Sequence, residues 1–108
     1  MTEEQRNLSP AKALLVVEAT IDPAVEAAWN QWYDATHLPA ILACPHFEAG
    51  ARYVNEERGS RRYLTVYRLS SPEAIGTPEF AHARGWEQFK DRVHSSTRLY
   101  RLAGEAKP

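Results

Sequence analysis

Trp29, Tyr33 and His37 stand four residues apart, and Pro39 follows two positions after the histidine. On a continuous helix this i, i+4, i+8 spacing puts two large aromatic rings and an imidazole on one face. Asp22-Pro23 supplies a start signal, with Asp at the N-cap and Pro in the first turn. Pro39 disfavours helical geometry at Leu38, so the pattern predicts a helix from Asp22 to His37, with His37 in its last turn. Its buried stripe should hold Val25, Trp29, Trp32, Tyr33 and Thr36. An imidazole at a helix end, beside two aromatic rings, suits proton transfer in a small apolar pocket.

Strands flank this helix. Leu14 to Val17 is a continuous apolar run within a strand over 13–20, as in a central strand buried on both faces. Phe47–Asn55 alternates, with Phe47, Ala49, Ala51 and Tyr53 on one face, and a hairpin loop over 56–60 follows. In the third strand, Arg61–Leu69, Tyr63, Thr65 and Tyr67 oppose Leu64 and Val66. A second helix is expected from Thr77 or Pro78 to Val93, with His82, Gly85, Trp86, Phe89 and Val93 on its buried stripe. A last strand covers 97–102. The order β-α-β-β-α-β predicts an α+β, ferredoxin-like domain: a four-stranded antiparallel sheet, strand order 4-1-3-2, with two helices on one face. Residues 1–11 read as a flexible N-terminal arm, 12–104 as the single domain and 105–108 as a frayed tail.

A chain of 108 residues forms one domain that buries a limited fraction of its surface, so added burial in a homodimer is expected. The net charge of −1 gives no reason to expect a nucleic-acid or membrane partner. A single cysteine, Cys44, excludes an intrachain disulfide and a cysteine-rich metal site. The polar, acidic N-terminus is unlike a secretory signal, and no apolar run is long enough to span a bilayer, so a cytoplasmic protein is expected.

With these elements in order, the chain resembles the dimeric α+β barrel superfamily, and within it the EthD-like branch. Trp32-Tyr33-Asp34 followed by His37-Leu38-Pro39 carries the resemblance, together with Pro45-His46-Phe47 and Arg52-Tyr53. Members usually show Pro-Gly where this chain has Pro45-His46. The resemblance covers roughly residues 13–102. It implies two subunits with their sheets face to face and a pocket in each between helices and sheet. Relatives of this kind include cofactor-free monooxygenases, lactone isomerases, polyketide cyclases and dehydratases, and haem-dependent aldoxime dehydratases.

His37 is the leading candidate for acid–base chemistry; the plainer alternative is a histidine capping carbonyls at the helix end. Asp34, three residues earlier, could meet its ring and raise its pKa. His82 is either a pocket wall facing His37 or a core histidine with one hydrogen bond. His46 is expected in solvent, and His94 at a helix end. Trp29, Tyr33, Tyr67, Trp86 and Phe89 are candidates for an aromatic substrate wall, though aromatics at such spacing often form core. Arg52 is the strand arginine put forward to hold a carboxylate or phenolate.

No Gly-rich phosphate loop, serine nucleophile elbow or H-E-x-x-H helix is present, and the scattered histidines argue against a catalytic metal. The expectation is a cofactor-independent lyase or isomerase that uses His37 on a small aromatic or cyclic oxygenated molecule. A cofactor-free monooxygenase of electron-rich phenols is the alternative enzyme, and a ligand-binding or structural dimer the non-enzymatic one. No cofactor is expected, although haem could bind through His37 or His82.

Overall fold

A computed structural model describes residues 10–108. The expected N-terminal arm lies largely outside them. The strands are β1 (Ala13–Ile21), β2 (Phe47–Glu57), β3 (Ser60–Leu69) and β4 (Val93–Arg101). They form one sheet in the order β2-β3-β1-β4, with every pairing antiparallel. This is the order and class that the element pattern predicts. Arg58 and Gly59 close the β2–β3 hairpin with φ of 53° and 81°. Two left-handed residues make the tight turn that matches strand twist, so the strands run further than expected.

β1 is not buried on both faces. Ala13, Leu15, Val17, Ala19 and Ile21 are buried beneath the helices, while Leu14, Val16, Glu18 and Thr20 are half-buried on the open face. The apolar run is real, but its second face has no covering layer within the chain. Phe47 also departs from the expected face. A register shift between Phe47 and Ala49 inserts one residue, so Phe47 turns toward the helices while Ala49 and Ala51 face away. Tyr63, Thr65 and Tyr67 share the helix side of β3, as expected.

The first helix does not stop at His37. We define α1 as three consecutive segments: α-helical Glu26–Trp32, a wide π-helical turn over Tyr33–His37, and α-helical Leu38–Leu42. A proline inside a regular α-helix clashes with the carbonyl four residues back and forfeits a hydrogen bond. Here the chain widens first, with Leu38 N–H bonding to the Tyr33 carbonyl five residues earlier. Pro39 then opens the next segment, where its missing N–H leaves no gap. Thr36, expected on the buried stripe, is exposed, and His37 is buried.

The second helix is shorter than expected. After a 3-10 turn at Pro72–Gly76, α2 spans only Pro78–Ala83, capped by the Thr77 hydroxyl, which accepts from Phe80 N–H. Arg84 is extended and Gly85 has φ of 114°, which no helix accommodates. A single 3-10 turn at Glu87–Phe89 then leads into β4. The periodicity that placed His82 inward is therefore broken at Arg84–Gly85: Phe80 is the buried residue of α2, and His82 is exposed. His94 lies on β4 rather than at a helix end.

Two apolar clusters fill the space between sheet and helices. One gathers Leu15, Val17, Ile41, Phe47, Tyr67, Leu69 and Phe80; the other gathers Ala19, Ile21, Trp29, Tyr33, Phe89 and Val93. Burying a large side chain of this kind contributes on the order of 2–3 kcal/mol.

Gly50 is packed closely between the Tyr67 ring and Leu38 of α1. A Cβ there would stand 2.9 Å from Tyr67 Cδ1 and 3.2 Å from Leu38 Cδ1. The Tyr67 ring is buried and its hydroxyl is tied to Tyr33, so it has little room to yield. Gly50→Ala is predicted to destabilise the fold by about 1–3 kcal/mol, read as a lower midpoint in urea or thermal denaturation.

Candidate active site

Trp29, Tyr33 and His37 lie in the interior with 0, 1 and 6% of their surfaces exposed. The His37 ring stacks on Trp32 at 4.8 Å and 22°, meets Tyr33 edge-on at 4.8 Å and leans on Trp86 at 5.1 Å. No group among the described residues hydrogen-bonds to either ring nitrogen. This removes the helix-capping reading. The imidazole instead borders a cavity of about 260 Å³, whose inner wall is Leu15, Ile41, Tyr67 and Phe80. Arg84, Gly85, Ser95 and Thr97 are exposed and form its rim along the β4 edge.

Burial, and secondarily the positive charge of Arg52, pulls the His37 pKa down to about 4. The ring is therefore neutral at physiological pH. Burial pushes the Tyr67 phenol well above its ordinary value, so it stays protonated. Its hydroxyl lies 3.3 Å from that of Tyr33, which lies 2.8 Å from Thr65 Oγ1. The cavity is thus lined by a neutral imidazole and by Tyr67, whose hydroxyl begins a short chain through Tyr33 to Thr65.

The structure distributes the sequence candidates unevenly. Tyr67 and Trp86 line the cavity with His37. Trp29, Tyr33 and Phe89 pack as core behind it and do not line it. Asp34 does not meet His37: the wide turn of α1 rotates the two apart, and Asp34 pairs with Arg52 at 2.7 Å. Arg52 is not in the cavity either. Its guanidinium donates to Asp34 and Asn30 at 2.7 Å and lies 4.1 Å above the Tyr33 ring. It is a support beneath Tyr33, with two of its donors already used. His82 is on the outer face of α2, away from the cavity. His46 is exposed and also outside it. It adopts φ of 72°, the conformation that explains why glycine suits this position in relatives of the kind it resembles.

Sequence reasoning missed Arg84, Ser95 and Thr97. Arg84 was hidden within an over-extended helix, although Arg84-Gly85 is a legible break signal. Ser95 joins the strand because β4 starts at Val93, four residues earlier than expected, and Ser95 and Thr97 face the helices beside Ala19 and Val17. Ser95 Oγ accepts from Trp86 Nε1–H at 3.0 Å and so helps hold the cavity roof. Among the described residues no cluster of histidine, cysteine and carboxylate side chains could hold a metal ion, and no helix is long and apolar enough to cross a membrane.

Four antiparallel strands in this order, with helices on one face and a pocket between, define the fold of the dimeric α+β barrel superfamily. Residues 12–102 match the family described as Domain of unknown function (DUF4286), and the chain belongs to that family. No curated protein matches the sequence. Several solved structures share the fold at low identity. A mutant of SnoaB, a cofactor-independent oxygenase from Streptomyces nogalater, is 14% identical with a TM-score of 0.64, over 88% of this chain and 97% of that one. MhuD, a haem degrader from Mycobacterium tuberculosis with two haems bound in its active site, is 15% identical with a TM-score of 0.61, over 88% and 99%. An EthD family protein from Bacillus halodurans is 12% identical with a TM-score of 0.62, over 88% and 99%.

The buried imidazole makes stability depend on pH. Its folded pKa of about 4 lies below the ordinary 6.5. Above pH 6.5 neither state binds the proton. As pH falls from 6.5 toward 4 the unfolded chain takes it up and the folded chain does not, so stability declines. The loss should be on the order of 2 kcal/mol, allowing for solvent that reaches the ring. Urea denaturation at pH 7 and pH 4.5 should show a larger drop for the native chain than for His37→Gln. Arg52→Met, which removes the nearby charge, should move the His37 titration upward in NMR, by less than burial moves it downward.

Proposed function

We propose that the protein is a cofactor-independent enzyme that takes a proton from a small, flat, oxygenated ring bound against His37. The observation that carries this reading is a buried, neutral imidazole with both nitrogens unspent, facing a cavity. A volume of about 260 Å³ is near the lower end of the range for small-molecule sites and suits one or two rings. Leu15, Ile41, Phe80 and Trp86 supply apolar surface for a ring, and the protonated Tyr67 hydroxyl is a donor for a carbonyl oxygen.

The depressed pKa shapes the chemistry. An imidazolium at His37 is unfavourable until a negative charge lies beside it, so the base is competent only when the substrate anion forms in contact. The same imbalance makes the imidazolium a ready acid, able to return its proton to another substrate atom. Isomerisation, dehydration and cyclisation all need that return. A second reading shares the first step: the deprotonated ring reacts with oxygen, as in a cofactor-free monooxygenase. The likeness in fold to a cofactor-independent oxygenase favours considering it.

Proton abstraction is read directly by solvent deuterium exchange at the α-carbon of cyclic ketones such as 2-tetralone. Exchange should be catalysed by the native chain and fall by ~10²–10⁴-fold in His37→Gln, with circular dichroism unchanged. Oxygen consumption during turnover separates the monooxygenase reading from the isomerase or lyase one. If the native chain accelerates exchange of no compound beyond buffer, the protein is not this kind of enzyme.

The assembly proposed alongside this reading is a homodimer through the open face of the sheet. Leu14, Val16, Leu64 and Val66 are half-buried there, and Tyr53 and Tyr100 are 58 and 51% exposed. These side chains share the face with Glu18, Arg62, Arg68 and Arg98, and a mixed apolar and charged sheet face of this kind suits an isologous interface. Sedimentation at micromolar concentration should give the mass of two chains, and a monomer would refute the assembly.

A further inference from the structure

The cavity rim carries one charged side chain with no counter-charge. Arg84 leaves α2 in an extended conformation, and its guanidinium lies 5.2 Å from the centre of the Phe80 ring, which is itself part of the cavity wall. It makes no hydrogen bond or ion pair to any described residue, although Glu79 and Glu87 are close in the chain. Among the described residues no acidic side chain lines the cavity. Thr97, also on the rim, has a hydroxyl without a partner among the described residues. His37 at the inner end is neutral. The cavity therefore has a net positive rim, an apolar middle and a neutral basic end. Arg52, the other arginine near the site, is already neutralised by Asp34.

We propose that the substrate is an anion before any chemistry begins: a flat ring bearing a carboxylate, which Arg84 and the Thr97 hydroxyl hold at the cavity rim while the ring reaches inward to His37. This rests on the enzyme reading above and names its substrate class. A planar guanidinium presents paired donors that match a carboxylate in two-point geometry, with the positive charge adding to each bond. A phenol is neutral at physiological pH and draws little from such a partner. A carboxylic acid is ionised there and gains fully. Charge at the rim also sets direction. The polar end of the ligand stays at the solvent-facing edge near β4, so the opposite end of the ring meets the imidazole. Arg84 is in this sense a specificity-determining residue, and His37 is the catalytic one.

The test is calorimetric titration of the full chain with 2-naphthoate and with its neutral isostere 2-naphthamide, at fixed ionic strength. The native chain should bind 2-naphthoate at least tenfold more tightly than the amide. Arg84→Gln should weaken 2-naphthoate at least tenfold and the amide far less, so that the preference for the carboxylate disappears. Both ligands should shift the His37 ring resonances, which marks occupancy of this cavity. Equal affinities in the native chain, or an Arg84→Gln chain that still prefers the carboxylate, overturns the anion assignment while the cavity keeps its enzymatic reading. Binding of neither compound at millimolar concentration overturns both. Arg84 is exposed, so a folded variant is expected, and circular dichroism checks it.

Discussion

The wide turn over Tyr33–His37 is the constraint on which the rest of the site depends. An α-helix advances about 100° per residue, so residues four apart drift by about 40° around its axis. Over Trp29, Tyr33 and His37 the drift would reach about 80° and leave the imidazole at the edge of the buried face. A turn that closes over five residues rotates less per residue and takes much of the drift back. Trp29, Tyr33 and His37 are consequently all buried, and Asp34 and Thr36 are left outside. The same widening lets Pro39 sit within the helical rod. Ile41, carried on the last segment, can then join His37 in the cavity wall.

Behind that wall the polar groups are arranged so that charge stays off the cavity floor. Asp34, Arg52, Asn30, Tyr63, Glu26 and Arg61 form one hydrogen-bonded line across α1 and strands β2 and β3. Arg52 is mostly buried, with 13% of its side chain exposed, and it is kept there by partners on one side and the Tyr33 ring on the other. Its field still reaches His37 and adds to the effect of burial. The Tyr33 ring lies against both Arg52 and His37 and offers the imidazole no hydrogen bond. A base that is neutral, held by stacking and unpartnered is the product of this arrangement.

Much of this was legible in the chain itself. Strand order, the face assignment of Tyr63, Thr65 and Tyr67, and the burial of Trp29, Tyr33 and His37 follow from period-two and period-four patterns that packing reinforces. The misreadings have local causes. The rule that a proline ends the preceding helix assumes α geometry, and the widened turn suspends it at Pro39. Periodicity carried through Arg84-Gly85 places His82 inward, whereas the backbone turns there. A bulge after Phe47 reverses the face of a strand that reads as regular alternation. Arg84 and Ser95 could be found only once the lengths of α2 and β4 were known, because nothing in their sequence context marks a cavity rim.

The place of β1 in the sheet also governs the order in which the molecule can form. Its register pairs Ala13 with Leu69 on one side and with Arg101 on the other. Both partners lie far along the chain, so closing either pair costs loop entropy before any packing repays it. The β2–β3 hairpin, joined by two residues, can form alone. During synthesis the apolar β1 emerges first and finds its second partner last, when the C-terminal strand leaves the ribosome. Until then the most hydrophobic strand of the protein has an unpaired edge. That interval, rather than the finished fold, is where the chain is most exposed to aggregation.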